Sequence, residues 1–128
     1  LNPNVQKPVN DILSNFSNVH LVQPLDYHFF VWLLKYSFIV LTDSGGIQEE
    51  APSLGKPVLV MRDVTERQEA VKAGTVKIIG TNRNKIVSSI SELLDDKQKY
   101  EKIAVSINPY GNGDASKKVV QSILDYFY

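Results

Sequence analysis

The stretch "LTDSGGIQEEAPSLGKP" (Leu41–Pro57) reads as a strand that ends in a glycine turn and opens straight into a helix. Gly45 and Gly46 carry no Cβ, so the backbone there admits close approach by another group. The first amides of the following helix have no internal partner, and the helix dipole favours an anion. The Ser44 hydroxyl adds a donor. The dipole contributes only ~0.3–1 kcal/mol, so several amides must act together. Glu50 follows one turn into the helix, beside an apolar stripe of Ile47, Ala51 and Leu54. A carboxylate there suits vicinal hydroxyls, and phosphate plus ribose is a nucleotide pattern. Spacing alone leaves two readings open. Glycine pairs at strand-helix turns are common, and an early acidic residue also simply suits the dipole. The pattern is neither GxGxxG nor a Walker loop.

Outward from this turn, almost continuously apolar runs alternate with helical stretches. The predicted strands are Asn18–Val22, Phe38–Thr42, Pro57–Met61 and Val76–Gly80. Continuous apolar runs suit parallel strands covered on both faces. Helices are predicted over Pro8–Asn15, His28–Tyr36, Gly46–Leu54, Glu66–Ala73, Asn84–Leu94, Lys97–Val105 and Asp114–Tyr126. The expectation is an α/β fold with a Rossmann-like, doubly wound parallel sheet. Ligands of such sheets sit at the carboxyl ends of the strands. "TERQ" (Thr65–Gln68) matches a capping box, with Thr65 serving the Gln68 amide and Gln68 reaching back. Gly55 and Gly74 are placed to end helices, and "NPYGNG" (Asn108–Gly113) to form a turn.

The bulk composition narrows the function classes. The 128 residues suit one compact domain. Net charge is zero, which implies no general pull toward nucleic acid or an anionic membrane. There is no cysteine, hence no thiol nucleophile or cysteine-zinc site, in keeping with a reducing, cytoplasmic setting. No apolar run is long enough to span a bilayer. The start "LNPNVQKP" lacks both a methionine and a signal-peptide layout, so a processed chain or a piece of a longer one is expected.

Taken whole, "LTDSGGIQEEAPSLGKPVLVMRDVTERQEAVKAGTVKIIG" with "NPYGNGDAS" closely resembles the C-terminal part of bacterial non-hydrolysing UDP-N-acetylglucosamine 2-epimerases. The likeness runs from about Leu1 to Ser116, with Gln68 standing where the family usually has proline after "TER". The resemblance implies the C-terminal half of a GT-B fold, in which two Rossmann-like domains face across a cleft. It implies that Ser44, Gly45 and Gly46 hold the diphosphate of UDP, Glu50 the ribose hydroxyls, Phe30 the uracil and Arg67 the phosphates. It also implies a reaction: UDP-GlcNAc is converted to UDP-ManNAc by elimination and re-addition of UDP, with no cofactor or metal. Such enzymes are roughly two to three times this long, as two domains require. Residues 1–128 are therefore expected to be the C-terminal UDP-binding domain without its N-terminal partner domain or its own first strand. No catalytic residue is expected here, the piece alone should be inactive, and the full-length enzyme should be a homodimer.

Two other functions compete: a GT-B glycosyltransferase, which shares the glycine turn, glutamate and "GKP", and a non-catalytic binding module. "DVTER" and "NPYG" favour the epimerases. Phe29, Val31, Trp32 and Leu33 read as core, being apolar nearly all round a helix. His20 and His28 stand isolated, without a second metal ligand at useful spacing. Asp95 and Asp96 read as a solvated loop, and Arg62 and Asp63 as a structural pair at a strand end.

Overall fold

The computed structural model describes residues 3–105, 107–111 and 113–127. The chain divides into two units, Leu1–Val31 and Trp32–Tyr128.

The first unit holds helix α1 (Pro3–Leu13) and the opening turns of α2 (Tyr27–Tyr36). The sequence places the start of α1 at Pro8; it lies at Pro3, and Pro8 is internal. Either proline fits a first-turn position, so local preference does not separate them. Asn18–Val22 forms no strand. A strand needs a neighbour for its backbone groups as well as β-prone side chains, and this run has no ladder partner among the described residues. His20, Leu21 and Val22 instead border a cavity of about 410 Å³ with Val5, Gln6 and Val9 of α1.

The second unit carries a parallel sheet of three short strands, β1 (Val40–Thr42), β2 (Val58–Val60) and β3 (Val76–Ile78), in the order β1-β2-β3. Val40, Val58 and Val76 lie in register. The central strand β2 is buried throughout, which is why its run is continuously apolar. Helices α3 (Gly45–Glu50), α4 (Gln68–Ala73), α5 (Arg83–Asp95), α6 (Lys97–Ala104) and α7 (Ala115–Phe127) complete the unit. Leu59, Ile79 and Leu93 form a buried cluster, with Ile39, Met61, Ile86, Ile90, Tyr100 and Ile103 packed around it. Phe38 stacks on Tyr100 at 4.2 Å between ring centres, and the Tyr100 hydroxyl donates to the Phe38 carbonyl at 3.0 Å.

Punctuation follows the sequence in part. Gly55 (φ 68°) and Gly74 (φ 78°) end their helices in the left-handed region. The helix predicted over Gly46–Leu54 is α3 followed by a tighter 3-10 turn over Ala51–Leu54, with Pro52 in its first turn. Asn108 accepts at its carbonyl from Gly111 N, closing the expected turn; Asn112 lies outside the described residues. Asp96 is not an idle loop residue. It caps α6, accepting from the Lys99 amide at 3.0 Å. Arg62 pairs with Glu66, not Asp63, at 3.2 Å, within the irregular segment between β2 and α4.

The core reading of α2 fails. Only Leu34 is buried, while Phe29, Trp32 and Leu33 are exposed. A helix that is apolar all round needs cover on every side, and the described residues do not provide it. No helix among them is long and apolar enough to cross a membrane.

Candidate functional site

Strand β1 delivers the glycine turn to its carboxyl end. Thr42, buried at that end, accepts at Oγ1 from the Ser44 amide at 3.0 Å. Ser44 then serves as the N-cap of α3 through its extended backbone (φ −80°, ψ 134°), and its hydroxyl makes no cap hydrogen bond. The Ser44 hydroxyl thus has no cap bond, and the leading amides of α3 have no partner within the helix.

The two glycines differ. A Cβ on Gly45 would lie 2.8 Å from Glu66 Oε1, so the Glu66 carboxylate already packs against that bare Cα. A Cβ on Gly46 would meet nothing within 4 Å. Only at Gly46 does the missing side chain open onto free space.

A buried polar relay fixes the turn. Gln48 is wholly buried; its Nε2 donates to the Ser44 carbonyl at 3.1 Å, and its Oε1 accepts from Thr65 Oγ1 at 2.7 Å. Thr65 Oγ1 accepts in turn from the Arg67 amide at 3.1 Å. The turn and the "TER" segment are thereby one hydrogen-bonded unit. This overturns the capping box. The Thr65 hydroxyl oxygen accepts from the Arg67 amide rather than that of Gln68, Arg67 is the N-cap of α4 without a side-chain bond, and Gln68 reaches back through Nε2 to the Thr65 carbonyl at 2.6 Å instead of to an amide.

Arg67 donates from Nε to Glu49 Oε1 and lies 3.5 Å from Glu66 Oε1. The hydrogen bond to Glu49 raises the guanidinium pKa further. The Glu66 carboxyl sits below its ordinary value, held first by its own backbone N–H and then by Arg62 and Arg67 against the opposing cost of desolvation. Tyr110 of "NPYG" stands within the field of Glu49, Glu69 and Arg67, and burial raises its phenol. Asn108 Nδ2 donates to Ser53 Oγ at 2.7 Å, tying that turn to the helical segment after the glycines.

Glu50, the last residue of α3, is half-buried, and its Oε2 is buried with no hydrogen-bond partner among the described residues. Such atoms are rare in folded proteins and call for a partner. Phe30 lies half-buried on α2, within the first unit. The structure thus gathers Ser44, Gly45, Gly46 and Arg67, with Glu50 at the far end of α3. Gln48, Thr65, Glu49 and Glu66 belong to the same neighbourhood and were not singled out in the sequence. Gln48 had one signal available: it precedes Ala51 and Pro52, both buried, by three and four residues, so it shares their face. A cavity of about 740 Å³ opens elsewhere, between α4, β3, α5 and α6, and none of the six predicted residues lines it.

A parallel α/β sheet with a glycine turn at a strand's carboxyl end defines a Rossmann-like domain. The sequence model of the UDP-N-acetylglucosamine 2-epimerase family matches residues 1–124, and the chain belongs to that family. It is 56% identical over 127 residues to a probable UDP-N-acetylglucosamine 2-epimerase of Ralstonia solanacearum, covering 99% of this chain and 34% of that protein. Its fold matches the crystal structure of the Neisseria meningitidis UDP-GlcNAc 2-epimerase bound to UDP-GlcNAc, with a TM-score of 0.92 at 57% identity over 98% of this chain and 34% of that one. It matches the UDP co-structure of S. aureus MnaA with a TM-score of 0.91 at 48% identity, over 98% and 34% of the two chains. The fold is therefore of GT-B type. The chain spans about a third of the length of these relatives. Family membership decides between the two enzyme readings: the chain is of the epimerase family, not a GT-B glycosyltransferase.

Proposed function

We propose that this chain is the UDP-binding domain of a UDP-N-acetylglucosamine 2-epimerase that interconverts UDP-GlcNAc and UDP-ManNAc in the cytoplasm. In this reading Ser44, Gly45 and Gly46 hold the diphosphate, Glu50 the ribose hydroxyls, Phe30 the uracil, and Arg67 lies by the phosphates. The observation that carries it is the pairing of a glycine turn that is open at Gly46 with a buried, unpartnered carboxylate oxygen on the same short helix. A ribose hydroxyl would supply a donor for Glu50 Oε2, and a charge-assisted bond of this kind contributes about 1.5–3 kcal/mol. Relatives determined with UDP-GlcNAc or UDP bound support the choice of nucleotide.

The chemistry asked of this domain is leaving-group stabilisation. As the bond between sugar C1 and the β-phosphate oxygen breaks, negative charge grows on the diphosphate. Helix amides held in advance by the Gln48–Thr65 relay meet that charge without reorganising. UDP kept in place then adds back to the enolic sugar before it escapes. Proton removal and return at C2 need acid-base groups over the sugar. We assign those to a preceding N-terminal domain, in an enzyme that works as a homodimer.

Isothermal titration of the chain with UDP, run beside a coupled epimerisation assay, tests this. The expected result is saturable binding in the millimolar range, equivalent to about 4 kcal/mol, with no turnover. Turnover by the chain alone would contradict the division of labour, and absence of UDP binding would contradict the site.

A further inference from the structure

The cavity of about 740 Å³ between α4, β3, α5 and α6 contains none of the residues assigned to UDP, and its size suits an organic ligand. Two kinds of surface line it. Val71 of α4, Ile78 of β3 and Ile103 of α6 supply an apolar floor. Lys72, Lys77, Lys99 and Lys102 line it as well, against a single carboxylate, Glu92. The chain as a whole is neutral, so this is a local excess of positive charge. Three elements build that excess. Lys72 lies in the last turn of α4, Lys77 is the middle residue of β3, and Lys99 and Lys102 are three apart on α6, hence on one face. Glu92 answers only part of it. Its Oε2 accepts from Lys77 at 2.7 Å and its Oε1 from Lys99 at 2.8 Å. An ammonium has three N–H donors, so neither lysine is used up by that one bond. Asp96 adds a second carboxylate, 3.7 Å from Lys99. Four ammoniums still face two carboxylates, and Lys72 pairs with neither among the described residues.

We propose that this cavity is a second ligand site, separate from the UDP site, for an amphipathic organic anion. The apolar body of the ligand covers Val71, Ile78 and Ile103. Its anionic group sits among the lysines, with Lys72 foremost because no carboxylate competes for it. A small inorganic anion leaves the apolar floor in water, and a neutral apolar molecule leaves the ammoniums unanswered. The lining therefore selects for both properties in one molecule.

The test is NMR titration of the isotopically labelled chain with naphthyl phosphate, beside neutral naphthol and inorganic phosphate. Naphthyl phosphate should saturate with a dissociation constant of about a millimolar. It should shift Lys72, Gly74, Lys77, Lys99 and Ile103 and leave the Ser44–Gly46 turn unmoved. Naphthol and inorganic phosphate, each meeting half of the lining, should bind about tenfold more weakly or worse. Lys72 is exposed, so its substitution leaves the fold intact. Lys72→Gln should weaken naphthyl phosphate about threefold and Lys72→Glu about tenfold, and added salt should weaken it in the parent. Absence of saturation at about ten times the expected constant overturns the proposal. So do naphthol binding as tightly as the ester, shifts at the glycine turn in place of the cavity, or affinity unchanged in both Lys72 variants. Each of these results leaves the UDP reading standing, since no residue is shared.

Discussion

Gln48, wholly buried, accepts a hydrogen bond from Thr65 Oγ1 at 2.7 Å and passes its own donation to the Ser44 carbonyl at 3.1 Å. The pair couples the glycine turn after β1 to the loop before α4. Gln48→Leu should remove both bonds and strand the Ser44 carbonyl, costing about 1–3 kcal/mol for a buried group left unsatisfied. Thr65→Val breaks the same link from the other side. Chemical denaturation should show the two substitutions to be less than additive in combination, because they share one interaction.

Gly46 and the fold want different things. The site is helical, has no positive φ, and meets nothing where a Cβ would go. Gly46→Ala should therefore leave stability unchanged or raise it by up to ~1 kcal/mol. It should nonetheless weaken UDP binding, because the methyl group takes the ligand's approach to the backbone. Denaturation and UDP titration of the same sample check both halves.

The ribose assignment of Glu50 predicts a specific coupling. Glu50→Gln should lower UDP affinity by about tenfold or more, the size of one lost charge-assisted bond. The variant should no longer distinguish UDP from 2′-deoxy-UDP. Equal discrimination by the parent and the variant would place the 2′-hydroxyl elsewhere.

Glu92 offers a pH-dependent handle on stability far from the site. Hydrogen bonds from Lys77 on β3 and Lys99 on α6, at 2.7 and 2.8 Å, lower its pKa from 4.5 to about 2. A carboxyl whose folded pKa is depressed contributes stability above its unfolded value and loses it as pH falls through the folded value. Thermal midpoints should drop between about pH 4.5 and pH 2, and Glu92→Gln should flatten that part of the profile.

How much of this was legible beforehand follows from which interactions are local. β2 was readable because a strand covered on both faces is apolar without alternation, while β1 and β3 carry similar runs though Leu41 is exposed and Lys77 and Ile78 are only half-buried. Asn18–Val22 is similarly rich in β-prone residues but has no ladder partner among the described residues, and pairing is a non-local property that composition does not encode. The glycine turn was readable because its chemistry is in its backbone. Gln48 was not, since glutamine is ordinarily a surface residue; its burial depends on Thr65, which folding brings to it. The capping box was misread for a local reason: the Thr65 hydroxyl oxygen takes the Arg67 amide, and the helix opens only at Gln68. Whether Phe30 completes the site was not legible from spacing, and its assignment rests on family resemblance.

In the proposed function the turn at Ser44–Gly46 and the carboxylate of Glu50 bind UDP. Amide-resolved NMR titration of the isotopically labelled chain with UDP addresses it most directly. Saturable shifts at Gly45, Gly46 and Ile47, accompanied by Glu50 and Arg67, are the predicted result. Saturable binding that leaves those residues unmoved, or no saturation anywhere, would contradict it.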